Sequence, residues 1–257
     1  TKKDLLRPAN RRFHWMSSTE GDPEALNALH RAMMSFYSQE EERSSYQNMI
    51  DSVTSVSDGS STSVIANYIV KEKAKEVLEV GCANGRLFSA LRDLGYQKKY
   101  SGLEVAEYII EMNQKKYPSA DWKQATAYDI PMQDSSFDFV CSEFVLEHLI
   151  FPERALEEMM RVVRPEGRLI LLFPDFVSSG RLSSQILGLS PLRRAIDAFK
   201  RGHLVDGVLS LYDSRVRLPN QLKNVHNDIG PFPINLRPAC LTYPDITYPD
   251  IDAVYIA

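Results

Sequence analysis

The chain has 257 residues, 44% of them hydrophobic and 25% charged, with a formal net charge of −4. That length and balance suit one main globular domain with an attached segment, and exclude a chain-wide electrostatic footprint for nucleic acid. No apolar run approaches the roughly 18 to 20 residues needed to cross a bilayer, and the start, rich in Lys and Arg, lacks the apolar core of a signal peptide.

In chain order, the first 60 residues are polar, with helical patches over 23–37 and 40–50 and a Ser/Thr/Asp/Gly-rich loop over 52–63. A helix over 62–73, capped by Ser or Thr, is expected next. From Lys75 the texture changes to short apolar runs alternating with longer amphipathic segments. Strands are predicted over 76–80, 99–104, 121–125, 137–142 and 167–173. Such alternation argues for a parallel sheet with helices on both faces, because right-handed crossovers are the usual way to join adjacent parallel strands.

Beyond Phe173 the rhythm breaks. Residues 174–241 carry many of the prolines, a basic helical patch over 192–201 and no clear strand, so about 176–240 is expected to be a helical lid insertion. The amphipathic stretch 186–199 fits a lid helix better than a membrane-surface or partner helix. The motif Tyr-Pro-Asp-Ile occurs at 243–246 and again at 248–251. It is too short for a structural repeat and predicts a turn before a last strand over 253–256. Cys82, Cys141 and Cys240 lie far apart without metal-ligand spacing, which predicts buried reduced thiols, no zinc site and a cytoplasmic location. A chain that begins at Thr1 and ends on a strand-like run is expected to be trimmed at both ends.

The stretch 76–87, EVLEVGCANGRL, runs from a buried-looking strand into a glycine-punctuated turn and on toward a helix. Gly81 and Gly85 permit backbone conformations and close approaches that a side chain would obstruct, so a ligand can lie against main chain there. Glu79 stands two residues before the first glycine, which suits a cationic or hydroxyl-rich ligand better than a pyrophosphate. Some 20 residues on, at the end of the second strand, Glu104 holds the place where doubly wound folds put the acid that binds a ribose diol. Carboxylate oxygens can accept two vicinal hydroxyls.

These residues resemble the first motif of class I S-adenosylmethionine-dependent methyltransferases of the methyltransferase type 11-like group, and the likeness runs over about 76–173. The downstream blocks are ATAYDIPMQDSSFDFV at 125–140, CSEFVLEHL at 141–149 and VVRPEG at 162–167. In the last of these Glu166 stands for the first glycine of the family's Leu-x-Pro-Gly-Gly turn. The resemblance implies that Glu79, Gly81, Cys82, Ala83, Asn84 and Gly85 floor the methionine part of the cofactor, and that Glu104, followed by Val105, binds the ribose. Thr126 occupies the position where the family often has an acid for the adenine amino group. Adenine recognition then falls to the Thr126 hydroxyl, the Ala127 backbone or Tyr128. A helix with His148 in its first turn is expected after the fourth strand.

Methyl transfer from a sulfonium is an in-line displacement with a good leaving group, so a general base is useful rather than obligatory. His148 is the first candidate base, since imidazole titrates near neutrality, although a loop-fixing hydrogen bond is the alternative role. Glu143 faces either the cofactor ammonium or the acceptor, or else caps a helix. His226 lies in the expected lid, and a solvated loop histidine is the alternative. Tyr46 or Arg43 could reach the methionine carboxylate from the helix over 40–46, against a solvated helix face.

The resulting expectation is an α/β, doubly wound, mostly parallel seven-stranded Rossmann-like sheet, the strand count coming from the resemblance. A helical cap segment over 1–63 precedes a methyltransferase domain over 64–257. The implied activity is methylation of a small-molecule or saccharide-like acceptor, at oxygen, with S-adenosylhomocysteine as product. Neither a nucleic-acid partner nor a metal is expected, and N-methylation remains open. Two alternatives are a catalytically silent cofactor-binding domain and a nicotinamide or nucleotide-sugar enzyme using a related turn. Turnover to S-adenosylhomocysteine and stabilisation by S-adenosylmethionine rather than NAD(H) discriminate them.

Overall fold

A computed structural model describes residues 15–38, 59–173, 191–212, 215–216, 220, 233–235, 239–243 and 246–250. Contacts divide the chain into two units, Met34–Phe173 and, separately, Thr1–Met33 with Pro174–Ala257.

The first unit is built on five parallel strands: β2 (Glu76–Val80), β3 (Lys99–Glu104), β4 (Asp121–Gln124), β5 (Phe137–Glu143) and β6 (Val163–Leu172). Their order across the sheet is β4-β3-β2-β5-β6. The chain therefore runs outward from β2 to one edge, then returns to the far side of β2 to complete the other. The reversal between β2 and β5 is the switch point at which open α/β sheets bind ligands, outside the carboxyl ends of the strands.

Alternation along the strands sends neighbouring side chains to opposite faces. Val77, Tyr100, Phe139 and Cys141 pack with Ile65 and Ile69 of helix α2 (Ser61–Lys71) and with Phe88 and Leu91 of α3 (Arg86–Asp93). Leu78, Val80, Leu103 and Val140 pack on the other face with Ala155, Met159 and Val162 of α5 (Pro152–Val162). Burying each of these large apolar side chains stabilises the fold by about 1.5 to 3 kcal/mol. Between them in sequence, α4 (Glu107–Lys116) joins β3 to β4.

Local chemistry sets the element ends. Ser60 caps α2 by accepting from the Ser63 amide at 3.2 Å. Asp138 on β5 accepts from the amides of Lys75 and Glu76 at 2.8 and 3.0 Å and from Arg164 at 2.6 Å, pinning the start of β2 to its neighbour.

In the other unit, β1 (Trp15–Ser17) pairs antiparallel with β7 (Pro233–Asn235), and β8 (Ala239–Tyr243) with β9 (Ile246–Asp250). Helices α6 (Pro191–Lys200) and α7 (Leu204–Tyr212) lie in the stretch expected to be helical. Helix α1 (Pro23–Ser38) begins in this unit and ends in the other.

The structure corrects the sequence reading in four places. The parallel sheet has five strands among the described residues, not seven. The described strands beyond Phe173 instead form short two-stranded pairs, and β7 and part of β8 fall where no strand was expected. The Tyr-Pro-Asp-Ile repeat does not form only a turn: its first Tyr closes β8 and its second Tyr-Pro-Asp lies in β9, with Tyr243 opposite Ile246. A hairpin this tight satisfies its ladder locally and does not need the parallel sheet. The predicted strand over 253–256 lies outside the described residues, as does the helix over 40–50. Finally, His148 ends a three-residue 3-10 turn, Leu146–His148, rather than lying in a full helix. Pro152 disfavours helical backbone at Phe151, which has φ −122° and ψ 66°, and itself opens the separate helix α5.

Candidate cofactor and active site

Four loops meet at the carboxyl end of the sheet, and hydrogen bonds knit them in sequence. The turn after β2 has three residues at positive φ, Gly81 (79°), Ala83 (42°) and Gly85 (73°). Its Gly81 and Cys82 amides both donate to the Leu103 carbonyl on β3, at 2.8 and 2.9 Å. A Cβ at Gly81 would stand 2.3 Å from Cγ2 of Val145, and one at Gly85 would stand 2.9 Å from Trp122. Gly81 is thus required because the loop after β5 closes directly on the turn.

Glu104 ends β3 buried, and its carboxylate ties the second loop to the first. Oε2 accepts from the Ala83 amide at 3.1 Å, while Oε1 accepts from Val105 at 2.9 Å and Ala106 at 3.4 Å. Asn113 on α4 supports the same turn from below, donating from Nδ2 to the Ala83 carbonyl at 2.7 Å. The third loop joins through the Ala125 amide, which donates to the Glu104 carbonyl at 3.0 Å, and through Gln124, whose Nε2 donates to the Val105 carbonyl at 3.2 Å.

Thr126 is half-buried and bridges to Asp129, and Ala127 is buried beside it. The Tyr128 hydroxyl accepts from the amides of Ile150 and Phe151 at 3.0 and 3.4 Å. These bonds join the third loop to the fourth. Burial raises the phenol's pKa, and the two amide hydrogen bonds oppose the rise.

In the fourth loop Glu143 accepts from the Ser61 hydroxyl and, at 2.9 and 3.1 Å, from the Thr62 hydroxyl. Its position at the end of β5 is as expected, and its described partners lie in the first turn of α2. His148 meets Tyr37 edge-on at 5.7 Å between ring centroids and lies 4.0 Å from the Glu147 carboxylate, with 29% of its side chain exposed. Tyr46, Arg43 and His226 lie outside the described residues.

Glu79 is buried like Glu104, but its described side-chain partner is a residue of the sheet rather than a loop amide. It shares the sheet face of Val77 and accepts a hydrogen bond from the buried Tyr100 hydroxyl. Burial pushes its pKa up to about 8. The Tyr100 hydrogen bond and Arg86 oppose the rise, and the Glu143 and Glu104 charges add to it. Cys82 and Cys141 are free, buried thiols whose pKa values burial also raises.

The sequence reading brought Glu79, the glycine turn, Glu104 and the Thr126 loop to one place. It missed Tyr100, Asn113, Ser61 and Thr62, which hold those residues. Only Tyr100 carried a signal, a polar-tipped aromatic in an apolar strand, whose hydroxyl needs a partner when buried.

The acceptor set suits a cationic, hydroxyl-bearing ligand: Glu79, Glu104 and Glu143 stand at the ends of three neighbouring strands beside the glycine turn. Residues 78–171 match the family model described as "Methyltransferase domain". The chain is 30% identical over 158 residues to phthiotriol/phenolphthiotriol dimycocerosates methyltransferase 1 of Mycobacterium ulcerans, covering 60% of this chain and 58% of that protein. It is 28% identical to a probable S-adenosylmethionine-dependent methyltransferase of Mycolicibacterium smegmatis, over 40% of each chain. A putative methyltransferase of known structure from Bacillus halodurans is 22% identical with a TM-score of 0.40, over 44% of this chain and 50% of that one. The segment 78–171 is a class I S-adenosylmethionine-dependent methyltransferase domain. The chain spans less than two thirds of the length of these relatives. No helix among the described residues is long and apolar enough to cross a membrane.

Proposed function

We propose that the protein transfers a methyl group from S-adenosylmethionine to a small-molecule or saccharide-like acceptor, at oxygen. The observation that carries the cofactor half is the junction of the glycine turn with Glu104 through the Ala83 amide, inside the segment that matches the family. Glu104 accepts the ribose hydroxyls in this reading, and the turn from Glu79 to Gly85 floors the methionine part. Thr126 and the Ala127 backbone meet the adenine, since the Tyr128 hydroxyl is already engaged. Small-molecule acceptors are supported by the relatives' names, which include the phthiotriol enzyme and a demethylmenaquinone methyltransferase of Paenarthrobacter aurescens. Oxygen as the target draws on the former, named for a triol.

His148 is the candidate base, at the carboxyl end of the sheet and partly exposed. Glu143 serves the site by anchoring α2 to the strand end, rather than as a reacting group.

A screen of acceptor pools with methyl-labelled S-adenosylmethionine tests the activity: labelled product together with S-adenosylhomocysteine is expected. Cofactor binding without turnover on any pool would favour a silent binding domain. Glu104→Ala should weaken cofactor binding by about 1 to 3 kcal/mol, the range for leaving a hydrogen-bonding partner unsatisfied. Unchanged affinity by calorimetry would remove Glu104 from the ribose role.

A further inference from the structure

Glu79 has a property that cofactor binding alone does not require. It is 5% exposed, and the hydrogen bond of its side chain among the described residues comes from Tyr100. The charged groups acting on it come from every element packed around it: Glu143 at the end of β5, Glu104 at the end of β3 and Arg86 in the first turn of α3. The thiols Cys82 and Cys141 are buried in the core cluster on this face of the sheet, and burial pushes both up. A carboxyl with two other glutamates near it and little water around it favours its neutral form.

The family's two cofactor forms differ at sulfur by one methyl group and one positive charge. We propose that Glu79 is the residue that discriminates between them: its carboxyl is protonated while the turn is empty, loses that proton when the sulfonium form binds, and recovers it with the thioether product. This rests on the cofactor reading above. After transfer, the electron pair of the broken S–C bond stays on sulfur, the positive charge at the site is gone, and Glu79 takes a proton back from solvent. The acceptor's own proton leaves separately.

The sign of the pH dependence follows. A binding step that releases a proton strengthens as pH rises, up to tenfold per pH unit. The gain stops once the unliganded carboxyl is itself ionised, above about 8. Preference for S-adenosylmethionine over S-adenosylhomocysteine should therefore climb toward that pH and then level off. An opposite charge close to an acid lowers its proton affinity by about 10- to 1000-fold, so the preference has that much room to change.

Calorimetric titration of the intact chain with each ligand, repeated in buffers of different ionisation enthalpy, counts the protons. Close to one proton more should be released with S-adenosylmethionine than with S-adenosylhomocysteine near neutral pH. The ligands' amino groups also titrate, so Glu79→Gln isolates the carboxyl: in that variant the excess release should drop and the pH slope of the preference should flatten. Tyr100→Phe removes the donor that favours the ionised form, and should move the levelling point to higher pH. The native chain's own pH series stands if either variant fails to fold. Equal proton counts for both ligands, or a preference that does not change with pH, would overturn the proposal while leaving the cofactor reading intact. Failure of both ligands to bind overturns the cofactor reading and this inference with it.

Discussion

Five non-glycine residues among those described hold positive φ: Lys73, Ala83, Ser135, Phe144 and Glu166. Such conformations cost about 1 to 2 kcal/mol each for residues with a Cβ. Ala83 and Phe144 lie in loops of the candidate site, where surrounding contacts hold the strain in place. Phe144 also leaves 45% of its surface exposed at the end of β5. Glu166 is different, since it lies where the β5–β6 register shifts and the family pattern has glycine, with φ of 67° and an exposed side chain. Glu166→Gly should stabilise the chain by roughly 0.5 to 1 kcal/mol, the strain relieved less the entropy that glycine adds to the unfolded chain. Urea denaturation measures it, and a lower midpoint would mean that Glu166 makes a contact worth more than its strain. The missing glycine was visible in the sequence. Its positive φ was not, because that angle follows from the register shift between β5 and β6.

Elements in this molecule are held by polar contacts that no local pattern announces. Glu143 and Thr62 are 81 residues apart, yet their hydrogen bonds join the end of β5 to the first turn of α2. The sequence offered Glu143 as a contact to the cofactor or the acceptor, or as a helix cap, and the structure supplies its described partners. Glu143→Ala should cost about 1.5 to 3 kcal/mol of stability, the range for a hydrogen-bonded charged group. Glu143→Gln, which keeps an acceptor oxygen, should cost less. Chemical denaturation of both variants checks the order, and equal losses would point to repulsion or packing instead. The five parallel strands were legible because apolar runs recur between amphipathic segments. The 3-10 turn at His148 was not, since its length is set by Pro152 opening the next helix.

At the scale of the whole molecule, the strand order β4-β3-β2-β5-β6 puts the ends of β2, β3, β4 and β5 into one crevice. A ligand there should protect amides in all four loops together, because the loops are bonded to one another. Hydrogen exchange with S-adenosylmethionine at about 100 times its dissociation constant should show protection at Gly81, Ala83, Val105, Ala125 and Ile150. The linked gain in stability is about 2.7 kcal/mol. Protection confined to one loop would mean that the site is not the four-loop junction. The sequence by itself determined the alternation of strands and helices, the glycine turn, its acidic residues and the class of domain that carries them. Those features are local, written in periodicity and in residue types a few positions apart. Only the tertiary structure decided that Glu79 is buried against Tyr100, that Tyr128 hydrogen-bonds the amides of Ile150 and Phe151 and Glu143 the hydroxyls of Ser61 and Thr62, and that the described parallel sheet has five strands. Each of those outcomes depends on which distant residue fills the space beside a side chain, and that space exists only once the sheet and its helices have packed.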